Sequence, residues 1–130
     1  MFTIEQIKAA HSKVRTGIDF PSYVKEMKSL GVLFYEHFVS DGHIQYHGSN
    51  NFILSADAKW APVEVAERGN KENLKHSLLI HQQGQTDYLT FCRQSAEAGV
   101  EKWIVDMQRM TCTYYDKPGN EMLVEDIPTV

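Results

Sequence analysis

The two halves of the chain carry the same punctuation at a shift of 67 or 68 residues. Ile7 falls on Leu74, Ala10 on Ser77 and Gly17 on Gly84. After one inserted residue, Asp19 falls on Asp87, Phe20 on Tyr88, Tyr23 on Phe91, Gly31-Val32 on Gly99-Val100, and Tyr35 on Trp103. Each half reads helix, glycine, helix, glycine, then three short strands. A divergent duplication with units at 3–55 and 70–124 explains this. So does a plainer reading, in which any two such units share glycine stops and apolar periods. About 60 residues make a marginal core, so two units are expected to pool theirs. The pattern predicts one domain over 1–130, with a seam between the units. Tyr35 and Trp103 would line that seam, and a ligand-binding pocket is expected there.

Local signals fill in the elements. Thr3-x-x-Gln6 has capping-box form, and Ile4, Ile7, Ala10 and Val14 follow at helical spacing, with Gly17 as the stop. A second helix starts near Pro21, suited to the first helical position, and Gly31 closes it. Val32–Val39 reads as a strand, Asp41-Gly42 as a two-residue type I′ hairpin turn, His43–His47 as the returning strand and Phe52–Leu54 as a third. Val63–Val65 reads as one more short strand. Asn70 opens a third helix that Gly84 ends, and Thr86 caps a fourth that Gly99 ends. Val100–Met107, Thr111–Tyr115 and Met122–Val124 complete about seven strands. Four helices packed on a mainly antiparallel sheet of short strands make an α+β fold.

Composition narrows the function classes. The chain has 130 residues, 42% hydrophobic and 23% charged, with a net charge of −4. An acidic balance argues against a nucleic-acid partner. No run of about 18 apolar residues exists, so no membrane span is expected. The first ten residues lack the apolar region and cleavage site of a secretory signal. A cytoplasmic location is therefore expected, with Cys92 and Cys112 as reduced thiols.

Candidate chemistry is sparse. His43 and His47 have a spacing that suggests a metal, but on a strand they stand about 13 Å apart, against zinc–nitrogen bonds of about 2 Å. No metal and no cofactor are expected. The two-residue turn would set Ser40 opposite His43, Phe38 opposite Gln45, Glu36 opposite His47 and His37 opposite Tyr46. Glu36 could then orient the His47 imidazole for a hydrolase; the ordinary reading is a cross-strand ion pair. His11, Lys8 and Arg15 could hold an anion, or be a boundary histidine with two snorkelling cations. His81 continues the Leu74–Leu78 stripe, and His76 reads as exposed. Neither cysteine has a nucleophile's context. Nucleophile-elbow, phosphate-loop, dinucleotide and zinc-protease motifs are absent. What remains is a surplus of strand aromatics: Phe34, Tyr35, Phe38, Trp103, Tyr114 and Tyr115, with Trp60 between.

TDYLTFCRQSAEAGVEKWIVDM and MTCTYYDKPGNEMLVEDIP, within 86–128, are similar to a known family, as are FTIEQIKAAHSKV at 2–14 and FVSDGH at 38–43. They resemble the YbcV/YdfO-like family of small bacterial proteins of unknown function, found on prophages as well as chromosomes and sometimes labelled phage envelope protein. The resemblance implies a compact α+β domain and carries over no catalytic residue and no cofactor. The expectation is a non-enzymatic binding protein for a small ligand or a protein partner, in the form of a homodimer. The alternatives are the Glu36/His47 hydrolase and a prophage accessory protein acting on a host protein.

Overall fold

Thr3 begins the first helix by exchanging hydrogen bonds with Gln6: the Gln6 amide donates to Thr3 Oγ1 at 3.2 Å and the Thr3 amide to Gln6 Oε1 at 2.9 Å. The computed structural model describes residues 2–15 and 17–128. In it α1 spans Ile4–His11, α2 Phe20–Leu30, α3 Lys71–Gln82 and α4 Tyr88–Glu97. The strands are β1 Phe34–Phe38, β2 Ile44–His47, β3 Ile53–Ala56, β4 Val100–Asp106, β5 Thr111–Asp116 and β6 Glu121–Asp126. They form one antiparallel sheet in the order β3-β2-β1-β4-β5-β6. Each half is thus a meander, and the halves join at β1 and β4.

The registers of the two halves correspond. Glu36 pairs with Gln45 in the first hairpin, and Ile104 with Thr113 in the second, both members shifted by 68. Glu36 also pairs with Ile104 across the central seam, so the local two-fold of that pairing relates residues at the same shift. The outer strands depart by one residue: Tyr46 pairs with Leu54, Tyr114 with Leu123, and β5–β6 contains a bulge beside Tyr115.

Alternation sorts the side chains. Tyr35, His37, Ile44, Tyr46, Trp103, Val105, Cys112 and Tyr114 are buried on one face. The helices cover that face, with Ile7, Tyr23, Val24 and Met27 from one pair and Leu74, Leu78, Phe91 and Cys92 from the other. Ring contacts seat the pairs: Tyr23 meets Tyr35 at 6.4 Å and Phe91 meets Trp103 at 5.5 Å. The other face is half-buried and carries Phe34, Glu36, Phe38, His43, His47, Lys102 and Tyr115.

Four local expectations are corrected. The first hairpin turns through four residues, with Phe38 donating to the His43 carbonyl at 3.0 Å. Of Asp41 and Gly42 only Gly42 takes a positive φ, of 75°, and the Asp41 carboxylate instead accepts from the His43 amide at 3.0 Å. The register therefore slips by two, setting Phe34 opposite His47 and Glu36 opposite Gln45. Val63–Val65 forms no strand, which leaves six among the described residues; Val63 donates to the Ser40 carbonyl and Ala66 to that of Ala96, so this stretch is tied down as a loop. Gly17 does not stop α1, which ends at His11; Gly17 lies buried against α3, where a Cβ would stand 2.5 Å from the His81 carbonyl oxygen. Asp87, not Thr86, caps α4, accepting from the Thr90 amide at 2.8 Å.

Gly31 and Gly99 close α2 and α4 with φ of 101° and 84°. A Cβ on Gly31 would meet nothing within 4 Å, whereas one on Gly99 would lie 2.4 Å from the Arg68 carbonyl oxygen. Gly31→Ala is expected to cost about 1 kcal/mol, from the strained φ alone. Gly99→Ala should cost at least twice as much, because backbone must also move. Urea denaturation of both variants checks this; equal costs would mean that the Arg68 loop yields freely.

Candidate functional site

A cavity of about 480 Å³ lies between the helix pairs, on the covered face of the sheet. Strands build its floor. Alternation turns Tyr35 and His37 of β1 inward together, and the β1–β4 pairing places Trp103 directly opposite His37. Their rings stack at 4.0 Å and 12°. Tyr114 and Cys112 extend the floor along β5. His11 and Tyr23 form one wall, and Leu78, His81, Tyr88 and Phe91 the other. The mouth is edged by Arg15, Ile18, Gln82, Glu125 and Asp126.

Its polar groups are hydrogen-bonded in short chains. Tyr88 Oη contacts His37 Nε2 from α4. His81 holds the Thr86 carbonyl through Nδ1 at 3.0 Å and stacks on Phe91 at 4.5 Å. His11 sits edge-on to Tyr23 and Tyr88, at 5.5 and 5.3 Å. Gln82 Nε2 donates to Glu125 at 3.2 Å. His37 Nδ1 is buried and has no side-chain or backbone hydrogen-bond partner on another of the described residues.

Desolvation sets the protonation states. It lowers the pKa of His11 and His81, and that of fully buried His37 well below the ordinary histidine value. It raises Tyr23, Tyr35, Tyr88 and Tyr114, each further out of reach of neutral pH. Burial pushes both the Cys92 and Cys112 thiols up to about 12, so neither is a thiolate nucleophile at neutral pH. Glu125, raised by its own burial, leans the same way.

The residues singled out from the sequence divide between the two faces. Tyr35 and Trp103 both line the cavity. Glu36 and His47 touch at 3.3 Å on the opposite face, as diagonal rather than direct partners, and Lys102 Nζ donates to the same carboxylate at 2.9 Å. His43 stands beside Asp41, 2.6 Å from Nδ1 to Oδ1. Of the cations flanking His11, Arg15 reaches the cavity mouth and Lys8 is exposed on α1. No group of three or more His, Cys, Asp or Glu stands ready for a metal among the described residues. His37, Tyr88 and His81 also line the cavity, a role that their place in the sequence does not announce. The available signal was a histidine two residues after Tyr35 in a period-2 strand, hence a polar group on an apolar face.

The fold defines a two-layer α+β protein with a cavity between its layers and, among the described residues, no helix long and apolar enough to cross a membrane. The chain belongs to the family described as "Protein of unknown function (DUF1398)", which matches residues 8–126. It is similar to the "Uncharacterized protein YcgX" of Escherichia coli (strain K12), 22% identical over 115 residues, covering 88% of this chain and 86% of the relative.

The neutral histidines make stability pH-dependent. An unfolded histidine takes up its proton near pH 6.5, and the folded ones only below that. The unfolded state therefore binds more protons as pH falls from 7 towards 5, and stability falls with it, by up to about 1.4 kcal/mol per pH unit for each such group. Glu125, with a raised folded pKa, acts in the opposite sense, losing stability as pH rises. In urea unfolding between pH 7.5 and 5.5, His37→Phe is expected to flatten the slope relative to the parent. An unchanged slope would mean that His37 takes up its proton at the same pH in the folded and unfolded protein.

Proposed function

We propose that this protein is a small non-enzymatic binding protein of the cytoplasm whose small-molecule ligand occupies the cavity, with Tyr35 and Trp103 as contact residues. One observation carries this reading: the helix pairs enclose about 480 Å³ over the sheet, walled by aromatic rings and a few convergent polar groups. Binding sites have that size and character. Two buried free thiols suit a reducing compartment. Against catalysis, Glu36 is shared between Lys102 and His47 on the far face, away from the cavity lining. The matching registers support a duplication of residues 3–55 and 70–124, which would make the cavity the seam between two copies of one unit.

Titration with N-phenyl-1-naphthylamine, an uncharged fluorescent probe, tests the cavity. One equivalent is expected to bind. Val14→Phe and Cys112→Met, which fill the cavity from the helix side and the floor, should each weaken binding at least tenfold while the circular dichroism spectrum is kept. Binding untouched by both would place the probe elsewhere and remove the support for this reading.

The second reading, a protein partner or a second copy, rests on the helix-free face, where Phe34 stacks on His47 and Phe38 on His43, both at 4.2 Å. A prophage accessory protein would meet a host protein there. Sedimentation equilibrium is expected to give a homodimer that Phe34→Glu dissociates; a monomer at all concentrations counts against self-association.

A further inference from the structure

β6 ends the sheet, and its outer edge is open. In an antiparallel pair, alternate residues direct their backbone bonds to the neighbouring strand and the rest turn theirs outward. Ile127 donates to the Met110 carbonyl at 2.8 Å, and the same phase turns Leu123 and Glu125 toward β5. The amides and carbonyls of Val124 and Asp126 therefore point away from the sheet. No loop or helix backbone meets them among the described residues. Such a row is a template for one more strand.

A groove of about 370 Å³ lies beside that edge. α3 contributes Leu78 and Leu79, and β6 contributes Leu123 and Val124. The Gln82 amide, donating to Glu125 at 3.2 Å, ties the helix to the strand. Leu79 is 53% exposed and Val124 47%, although both are large and apolar. Apolar side chains that stay in water on one groove, with polar groups around them, are characteristic of an interaction site.

Charge selects the occupant. The register and its bulge put Glu121, Val124 and Asp126 on the helix-free face, beside Tyr115, Thr113 and Thr111. Neither Glu121 nor Asp126 has an ion-pair partner among the described residues. Lys75, the cation in the groove lining, stands on α3. Edge carboxylates repel a strand of like charge. A second copy pairing through its own β6 would crowd Glu121, Glu125 and Asp126 of both chains into one ribbon. A basic strand meets the opposite situation. The other edge strand, β3, has no charged side chain in Ile53–Ala56 and makes no such selection.

We propose that β6 takes up an extended basic segment of another protein as a seventh strand. Its alternate apolar side chains seat against Leu79 and Leu123, and the lysine or arginine side chains between them lie beside Glu121 and Asp126. Lys75 reinforces that phase, because a slip of one residue would bring the basic side chains to Lys75 and the apolar ones to the carboxylates. Leu78, Gln82 and Glu125 line both this groove and the cavity, but the edge is open whether or not the cavity holds a ligand.

The test is fluorescence anisotropy of two labelled peptides, TKLTLKT and its charge-reversed twin TELTLET, titrated with the full chain. The basic peptide is expected to bind about tenfold more tightly than the acidic one. Val124→Pro removes an outward amide, leaves the bonds to β5 in place and keeps every charge; it is expected to weaken TKLTLKT about tenfold. Leu79→Glu is expected to weaken it too, although it makes the protein more acidic. Glu121→Lys combined with Asp126→Lys is expected to reverse the preference between the peptides. Failure of TKLTLKT to bind, or binding of both peptides alike, overturns the proposal. Binding that either single variant leaves unaltered, with its circular dichroism spectrum kept, reduces the effect to attraction by an acidic protein and overturns docking at this edge. A preference that the double variant leaves in place does the same. Should Val124→Pro not fold, Leu79→Glu, on the exposed side of α3, still decides.

Discussion

The antiparallel pairing of β1 with β4 is the constraint on which the rest of the structure depends. Three strands and two helices bury too little to stand well alone. Joined through Phe34–Phe38 and Lys102–Asp106, the two meanders become one six-stranded sheet with one continuous covered face. The register of that junction also composes the site: it sets His37 against Trp103, and Tyr35 against Val105, on the side where the helices lie. A slip of one residue would turn one strand's set to the opposite face.

One physical cause then makes the interior uncharged through three different chemistries. Loss of water penalises the ionised form of any group. For histidine the ionised form carries the proton, so burial lowers the pKa; for tyrosine, cysteine and glutamate it lacks the proton, so burial raises it. His37, Tyr35 and Cys112 shift in different directions and arrive at the same state, neutral near pH 7. The titratable side chains of the cavity floor are thus neutral, and the charge that still acts on His37 and His11 is that of Lys59. The polarity of the floor is that of hydroxyl and imidazole dipoles.

The layering of helices and strands was legible wherever a local rule acted alone. Thr3 and Gln6 form their capping box, Gly31 and Gly99 follow their helices, and period-2 alternation marks Phe34–Phe38. The misreadings arose where a side chain competed with a backbone rule. Asp41 reads as a positive-φ turn residue, but its carboxylate captures the His43 amide and the loop lengthens. Thr86 had capping chemistry, but its hydroxyl lies 3.1 Å from His81 and its neighbour Asp87 takes the cap. The Glu36–His47 contact survived a wrong register because the error was two residues, which preserves the face. The meeting of Tyr35 with Trp103 in one cavity was legible from the matched halves; His37 was not, because its partners come from α4 and β4, far along the chain.

The same strands that build the neutral cavity also keep charge away from it. Along β1, Tyr35 and His37 point to the helices while Glu36, between them, points to the other face and meets Lys102 and His47. On a sheet covered on both sides that carboxylate would need a fully desolvated partner, and such pairs rarely recover their hydration cost. With one face free of helices, Glu36 keeps 17% of its side chain in water and two cationic or ionisable neighbours within reach. The open face is therefore part of how the site is specified. A register that brought Glu36 inward would place a carboxylate beside the cavity floor, with Lys102 left behind on the far side. That cost adds to the loss of the aromatic floor in disfavouring the slipped pairing. The charge pattern of β1 thus selects both the register that joins the halves and the uncharged surface that the cavity presents.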